Sequence, residues 1–440
     1  MASKALTAPL IRNISIRGYA QAQAAPSIRK EVKVASTTLP NKTVVVALEN
    51  GSPLTRVTVA FKAGSRYEAP GDLGVSHIVR SSAGLTTKNI SSFMVARKLA
   101  QHGATVTASG DREFIYYTLE ASNDNVDGTL EILKNLVSNQ EFRPWEIEDI
   151  TPRLQFDIAA LPPQVRAVEL LHKAAYRRGL GNSLFISPKK IGKVSAESLQ
   201  HYTSNFLGLG RCAVAVVGGS QEKANLVAQN LQLEQGSTEA GEPSKYYGGD
   251  MRKEMGGELA HVALALKGAP AGSPQALALA VGAQALGCGP VTKWGSDNSV
   301  LAKTVGNIGP FAAAGFNVSY SDSGLYGVVL SVPQDEANGA IKAVASVLKN
   351  PKLSSQAIDA AKNRLRLQIL SEADAGSSLV ESLAAQVLHT GSVKSPSEIA
   401  NSIASLSNND ISQAVSAAAR SNLSMGAAGN LAFVPYVDEL

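Results

Sequence analysis

A chain that repeats itself must fold into two versions of one unit, and this chain repeats over most of its 440 residues. The run Arg56-Val57-Thr58-Val59-Ala60-Phe61-Lys62-Ala63-Gly64 is echoed by His261-Val262-Ala263-Leu264-Ala265-Leu266-Lys267-Gly268. Both are alternating, strand-like runs that end in Lys and a Gly turn. A hairpin pattern from Ala104 to Ala121, turning at Ser109-Gly110-Asp111, has its counterpart from Gly315 to Val332, turning near Asp322-Ser323-Gly324. Helical periodicity follows each hairpin, through Val126, Leu130, Leu133 and Val137 in one half and Ile341, Val344 and Leu348 in the other. Ser187-Pro188 before Ile191 matches Ser395-Pro396 before Ile399. A nearly constant offset along both halves marks a duplicated unit.

The repeat predicts an α+β fold of two similar, internally repeated domains, each a mixed, mostly antiparallel sheet packed with helices. The expected domains are residues 35–225 and 255–440, with 226–254 as a linker region. Between Gln235 and Gly257 the chain carries Gly, Ser, Pro and mixed charge, which is linker composition.

Composition narrows the function classes. Hydrophobic residues make up 44% of the chain, which excludes a disordered protein. The two cysteines, Cys212 and Cys288, cannot form a disulfide framework or a Cys-based zinc site, and read as buried, inert thiols. The most apolar stretch, Leu277 to Leu286, is about half the ~20 residues of a membrane span and contains Gln284. Charged residues are 18% of the chain, below the roughly 25% usual for soluble domains, which suggests surface hidden in an assembly.

The first acidic residue is Glu31, preceded by Lys4, Arg12, Arg17, Arg29 and Lys30 among Ser, Thr and Ala. Such an acid-free, Arg-bearing leader predicts a mitochondrial transit peptide over residues 1–19. Its loss would remove three positive charges (Lys4, Arg12, Arg17) and lower the net charge from +5 to +2. The remaining Lys and Arg are scattered, so no nucleic-acid partner is expected.

None of the six histidines pairs with another at zinc-ligand spacing. His77 has the most suggestive surroundings, in Gly71-Asp72-Leu73-Gly74-Val75-Ser76-His77-Ile78-Val79-Arg80-Ser81. Asp72 is expected to cap a helix that buries Leu73, Val75, Ile78 and Val79. Together with Gly64-Ser65-Arg66-Tyr67-Glu68 just before it, this stretch resembles the two-domain, inverted-motif zinc peptidases of the mitochondrial processing peptidase type. In that family H-x-x-E-H supplies two zinc ligands and a general base, and a later helix supplies a third, carboxylate ligand.

Position by position, the resemblance puts His77 at the first histidine, Arg80 at the general base, Ser81 at the second histidine and Asp157 at the third ligand. A guanidinium, with a pKa above about 12, cannot accept a proton. One imidazole and one short carboxylate fall below the three protein ligands of a catalytic zinc site. The motif is therefore expected to be degenerate, with no catalytic, metal-binding or cofactor-binding residue and no cofactor. His77 is expected to be a polar core or interface residue.

A further stretch sharpens the resemblance: Gly287-Cys288-Gly289-Pro290 with Lys293 and Gly295-Ser296, then Phe316-Asn317-Val318-Ser319-Tyr320-Ser321-Asp322-Ser323-Gly324-Leu325-Tyr326-Gly327. It is similar to the core-protein branch of the family, the scaffold subunits of ubiquinol–cytochrome c reductase, respiratory complex III. The resemblance implies a matrix-side subunit, peripheral to the mitochondrial inner membrane and needed for assembly of the complex. Its implied partners are a core protein 1 homologue, cytochrome b, cytochrome c1 and the iron–sulfur subunit. No His pair for haem, Cys cluster or nucleotide fingerprint equips the chain to carry electrons itself. The alternative is the non-catalytic, substrate-holding subunit of a processing peptidase heterodimer, which carries a long Gly-rich loop where this chain has Gly287-Cys288-Gly289.

Two smaller expectations complete the reading. Asp322 is expected to make a turn with Ser323-Gly324 in preference to facing a cavity with Tyr320. Around Arg364-Leu365-Arg366-Leu367, Asn363 and Arg366 are expected to face solvent while Leu367 and Leu370 pack.

Overall fold

The computed structural model describes residues 34–237, 241–287, 299–306, 308 and 310–440. The leader 1–19 and Cys288 with the following Gly289 to Ser296 lie outside the described residues. Strands β1 (Val34–Thr38), β2 (Val44–Leu48), β3 (Leu54–Phe61), β4 (Thr105–Gly110), β5 (Ile115–Ser122) and β6 (Cys212–Val217) form one sheet, in the order β1-β2-β6-β3-β5-β4. Strands β7 (Gly249–Glu254), β8 (Leu259–Lys267), β9 (Ala312–Ser319), β10 (Gly324–Pro333) and β11 (Ser424–Gly429) form the other, in the order β7-β11-β8-β10-β9.

The two orders superimpose once β1 is set aside. In each sheet the pair made by the first repeat strand and the last, β2 with β6 and β7 with β11, is parallel. All other neighbours are antiparallel. This is the α+β, duplicated architecture that the repeat predicts.

One face of the first sheet, including Val57, Val59, Tyr117 and Val214, packs on helices of its own half such as Val126–Ser138 and Ala196–Phe206. The opposite face, with Ala60, Tyr116, Ala213 and Ala215, is covered from the other half by Leu379, Val380, Leu383 and Val387 of the helix Ser377–Thr390. The second sheet is covered in return by the helix Pro163–Tyr176, whose Ala167, Leu171 and Ala175 meet Ala263, Ala265 and Ala428. The approach there is close: a Cβ on Gly426 of β11 would lie 2.2 Å from the Ala167 carbonyl oxygen. Both exchanged helices have 14 residues and hold equivalent places in the repeat.

The expected linker, residues 226–254, includes residues that belong to elements of the two cores. The helix Gln221–Asn230 buries Ala224, Val227 and Ala228 in the first core, and β7 pairs along β11 in the second sheet. The segment between them is residues 231–248, and its later part is tied down. The Tyr246 hydroxyl donates to the Asn422 carbonyl (2.7 Å) and the Tyr247 amide to the Ala175 carbonyl (2.8 Å).

The helix Ser355–Ala375 faces otherwise than expected. Ile358, Ala361 and Leu365 form its inward stripe against Ala278, Val281 and Ala285, whereas Leu367 and Leu370 are exposed. At 100° per residue, Leu367 and Leu370 lie well round from that stripe. Cys212 is buried, and burial pushes its thiol pKa up. Among the described residues no helix is long and apolar enough to cross a membrane.

Candidate functional site

The helix that carries the motif, Val75–Ser81, starts at Gly74, whose φ of 98° suits glycine and where a Cβ would lie only 2.6 Å from Ile186 Cα. Its N-terminus is capped from a distance. The buried Glu68 carboxylate accepts from the amides of Gly74 and Ser76, each at 2.8 Å, while Asp72 makes no such cap. Burial raises the Glu68 pKa against the pull of those amides and of Arg80. Val75, Ile78 and Val79 are buried as the sequence suggests, but Leu73 lies exposed ahead of the helix.

His77 is buried and packs edge-on against Phe185. Its Nδ1 accepts from the Ile186 amide at 3.4 Å, so in the neutral ring the proton sits on Nε2. Nε2 faces Asp157 Oδ2 at 3.9 Å, beyond hydrogen-bond reach. Burial, and then the charge of Arg80, lower the His77 pKa from 6.5 to about 4. The ring is therefore neutral across the physiological range.

Arg80 lies one turn further on, and its guanidinium is spent on backbone. It donates to the carbonyls of Leu184 (2.7 Å), Gly110 (3.3 Å) and Ser76 (3.3 Å). The same loop is held by Glu169, which accepts from the Leu184 amide at 3.0 Å. Arg112, paired with Glu169, donates in turn to the Asn182 carbonyl. His77 and Arg80 thus hold the backbone of Leu184 and Ile186, with the loop on the Nδ1 side of the imidazole and Asp157 on the Nε2 side.

The structure brings His77, Arg80, Ser81 and Asp157 into one neighbourhood, but the donors do not suit a dication. By the resemblance, the fixed cation of Arg80 stands where a base would be and buried Ser81 where a second imidazole would be. Among the described residues no three His, Cys, Asp or Glu side chains are placed to hold a metal ion.

A second constellation joins the halves. The hairpin turns of the two repeats, Asp111 to Phe114 and Tyr320 to Gly324, meet at the seam. Arg66 Nη1 donates to Glu113 (2.6 Å), Ser321 (3.0 Å) and Asp322 Oδ1 (2.9 Å), and Nη2 donates to Asp322 Oδ2 (2.5 Å) and the Glu242 carbonyl (3.0 Å). Glu113 also accepts from the Ser321 amide at 2.8 Å, and Asp322 from the Ser244 amide at 2.7 Å. Although burial works against it, bonding to Arg66 and to the Ser244 amide holds the Asp322 carboxyl below its ordinary range. Asp322 is thus an interdomain anchor as well as a turn residue, and Tyr320 is buried with its hydroxyl 2.8 Å from His172 Nε2. Glu113 escapes a sequence reading, although Arg112-Glu113 within an apolar hairpin is a signal that something must neutralise the pair.

With this geometry in hand, comparison with known proteins is decisive for the family. Residues 44–187 match the insulinase family, peptidase family M16, and residues 193–365 match the peptidase M16 inactive domain. The chain belongs to peptidase family M16. Human "Cytochrome b-c1 complex subunit 2, mitochondrial" is 37% identical over 92% of this chain and 91% of the relative. An Arabidopsis thaliana "Probable mitochondrial-processing peptidase subunit alpha-1" is 27% identical over 93% of this M16 chain and 84% of its own. A chain of complex III2 from Candida albicans shares the fold, with a TM-score of 0.79 at 19% identity over 92% of this chain and 98% of that one.

Proposed function

We infer that this M16 chain is a non-catalytic core subunit of mitochondrial complex III, a scaffold for the assembly that passes electrons from ubiquinol to cytochrome c. The observation that carries the reading is the 37% identity to the human complex III subunit along nearly both full lengths, against 27% to the processing peptidase alpha subunit. The site chemistry agrees: Arg80 cannot act as a base, and its contacts serve the backbone.

In this reading the protein sits on the matrix side of the inner membrane as a peripheral subunit, after loss of residues 1–19. Its partners are a core protein 1 homologue, cytochrome b, cytochrome c1 and the iron–sulfur subunit. The low charged fraction of 18% supports a surface committed to such contacts. The physical role is that of a stiff two-domain shell, since each sheet is roofed by the other half and the seam is pinned by Arg66.

The test is a native gel of mildly solubilised mitochondria, with the band that holds this chain identified by mass spectrometry. Co-migration with cytochrome b, cytochrome c1 and an iron–sulfur subunit is the expected result. Migration as a small heterodimer with a zinc-motif partner would replace the reading with that of a processing peptidase subunit.

A further inference from the structure

The end of the second sheet exposes an apolar surface that none of the described residues covers. The tail after β11 is well packed: Val434 is buried, and Leu431, Val437 and Leu440 rest on the second core. Phe433 and Tyr436 of the same tail point outward, 53% and 57% exposed. The turn between β7 and β8 lies beside them and adds Met255 and Leu259, 45% and 43% exposed. Turn and tail are bonded to each other, from the Met255 amide to the Gly429 carbonyl (2.9 Å), the Asn430 amide to the Leu259 carbonyl (3.0 Å) and the Leu431 amide to Glu254 (3.0 Å). Single exposed apolar residues are ordinary, but four on two mutually bonded segments make a patch of the kind that marks an interaction site.

The repeat supplies an internal control. The equivalent turn of the first half, Glu49-Asn50-Gly51-Ser52-Pro53-Leu54, shows one large exposed apolar residue, Leu54. The chain after β6 enters the helix Gln221–Asn230 and forms no tail. The fold therefore does not impose the patch.

Its rim at the turn is mainly acidic, although exposed Lys253 stands beside Glu254. Glu254 and Glu258 stand on the turn, and Asp335 follows the Gln334 amide that donates to the Glu258 carbonyl. Arg252, the nearest guanidinium, is paired with Asp250 and lies flat on Tyr436 at 3.7 Å. In a chain of net charge +5 this is a locally acidic surface.

We propose that this acid-rimmed apolar end of the second sheet docks a basic, amphipathic segment of another subunit of the complex, a step that rests on the complex III reading. Apolar side chains of that segment cover Phe433, Met255 and Leu259, and its Lys and Arg meet the rim.

The experiment places a photoreactive benzophenone side chain at Phe433 of the full chain, expressed in cells whose own copy is silenced. A second preparation carries it at Leu226, a 52% exposed residue on the first half, as a control. After irradiation of mildly solubilised mitochondria, mass spectrometry reads the cross-linked peptide. The expected adduct is with one other chain, through a net-positive segment with apolar residues at helical or strand spacing. Adding Glu258→Lys and Asp335→Lys, neither of which has a bonded carboxylate here, should cut its yield about tenfold. An adduct with a second copy of this chain, with lipid or with a segment that is not basic overturns the proposal, as does an unchanged yield in the charge-reversed variant. Co-migration with the complex but no adduct overturns it alone, whereas absence from the complex III band overturns the complex III reading as well.

Discussion

Arg66 and Asp322 stand 256 residues apart in the chain and meet as a two-pronged ion pair, with nitrogen–oxygen distances of 2.9 and 2.5 Å. The same guanidinium neutralises Glu113, whose side chain is 2% exposed. Removing Arg66 would leave a carboxylate buried without a cation, which costs about 3–5 kcal/mol where such pairs have been broken. Arg66→Met should therefore lower the unfolding free energy by that order in urea titration. Arg66→Lys should fall between, because a lysine keeps the charge and loses the fork. Replacing the group together, as Arg66→Met with Glu113→Leu and Asp322→Leu, should recover most of the loss. Parental stability in Arg66→Met would remove the seam's claim to importance.

A pH dependence follows from His77. The unfolded chain takes up this proton near 6.5, whereas the folded chain resists it until about 4, so the unfolded state binds more protons between those values. Stability is then full above about 6.5 and declines as pH falls towards 4, by on the order of 2 kcal/mol at pH 5 from this residue. His77→Gln keeps an acceptor for the Ile186 amide and has no proton to bind. Unfolding titrations at pH 7.5 and pH 5 should show a smaller difference for the variant than for the parent. Equal differences would mean that His77 is not buried as a neutral ring.

The sequence reveals the duplication because β3 and β8 alternate cleanly and end in the same Lys-Gly signal, a local pattern that survives divergence. It conceals β7, since Gly249-Asp250-Met251-Arg252-Lys253-Glu254 is a charged edge strand, half exposed, that reads as linker. The exchange of helices is illegible for a different reason. An apolar stripe such as Leu379, Leu383 and Val387 states that a face is buried, and says nothing of which sheet buries it. Arg66 with Asp322 is illegible because the pair depends on how the repeats are set against each other. At the candidate site the sequence is better informed, because Arg80 and Ser81 carry their chemistry wherever the chain goes.

The exchanged helices make the two halves one folding unit. A chain cut between residues 237 and 241 would expose Ala60, Ala213 and Ala215 on one piece and Ala263, Ala265 and Ala428 on the other. Each piece alone should be insoluble, and the two expressed together should recover a soluble pair on size-exclusion chromatography. Within the intact chain, Leu383→Ala removes a fully buried side chain from the roof of the first sheet. A loss of about 2–5 kcal/mol is expected, in one cooperative transition seen equally by fluorescence and circular dichroism. Two separate transitions would show that the halves fold independently.

Restoring the metal motif tests how far the site has drifted. Asp157 Oδ2 lies 3.9 Å from His77 Nε2, so the third-ligand position still faces the first. Arg80→Glu with Ser81→His removes the fixed cation and returns the general base and a second imidazole. Asp157→Glu adds the methylene that a longer reach requires. The triple variant should bind about one zinc per chain by elemental analysis after dialysis, while the parent binds none, since three protein ligands make a catalytic zinc site. The same change deletes the bonds from Arg80 to the Leu184 and Gly110 carbonyls, so the metal-free variant should melt below the parent and zinc should raise its Tm. Peptidase activity is not expected from these three changes, because three ligands and a base supply the metal and its water but no groove that places a peptide beside them. Zinc bound stoichiometrically by the unaltered chain would overturn the assignment of Arg80 as a cation that excludes the metal.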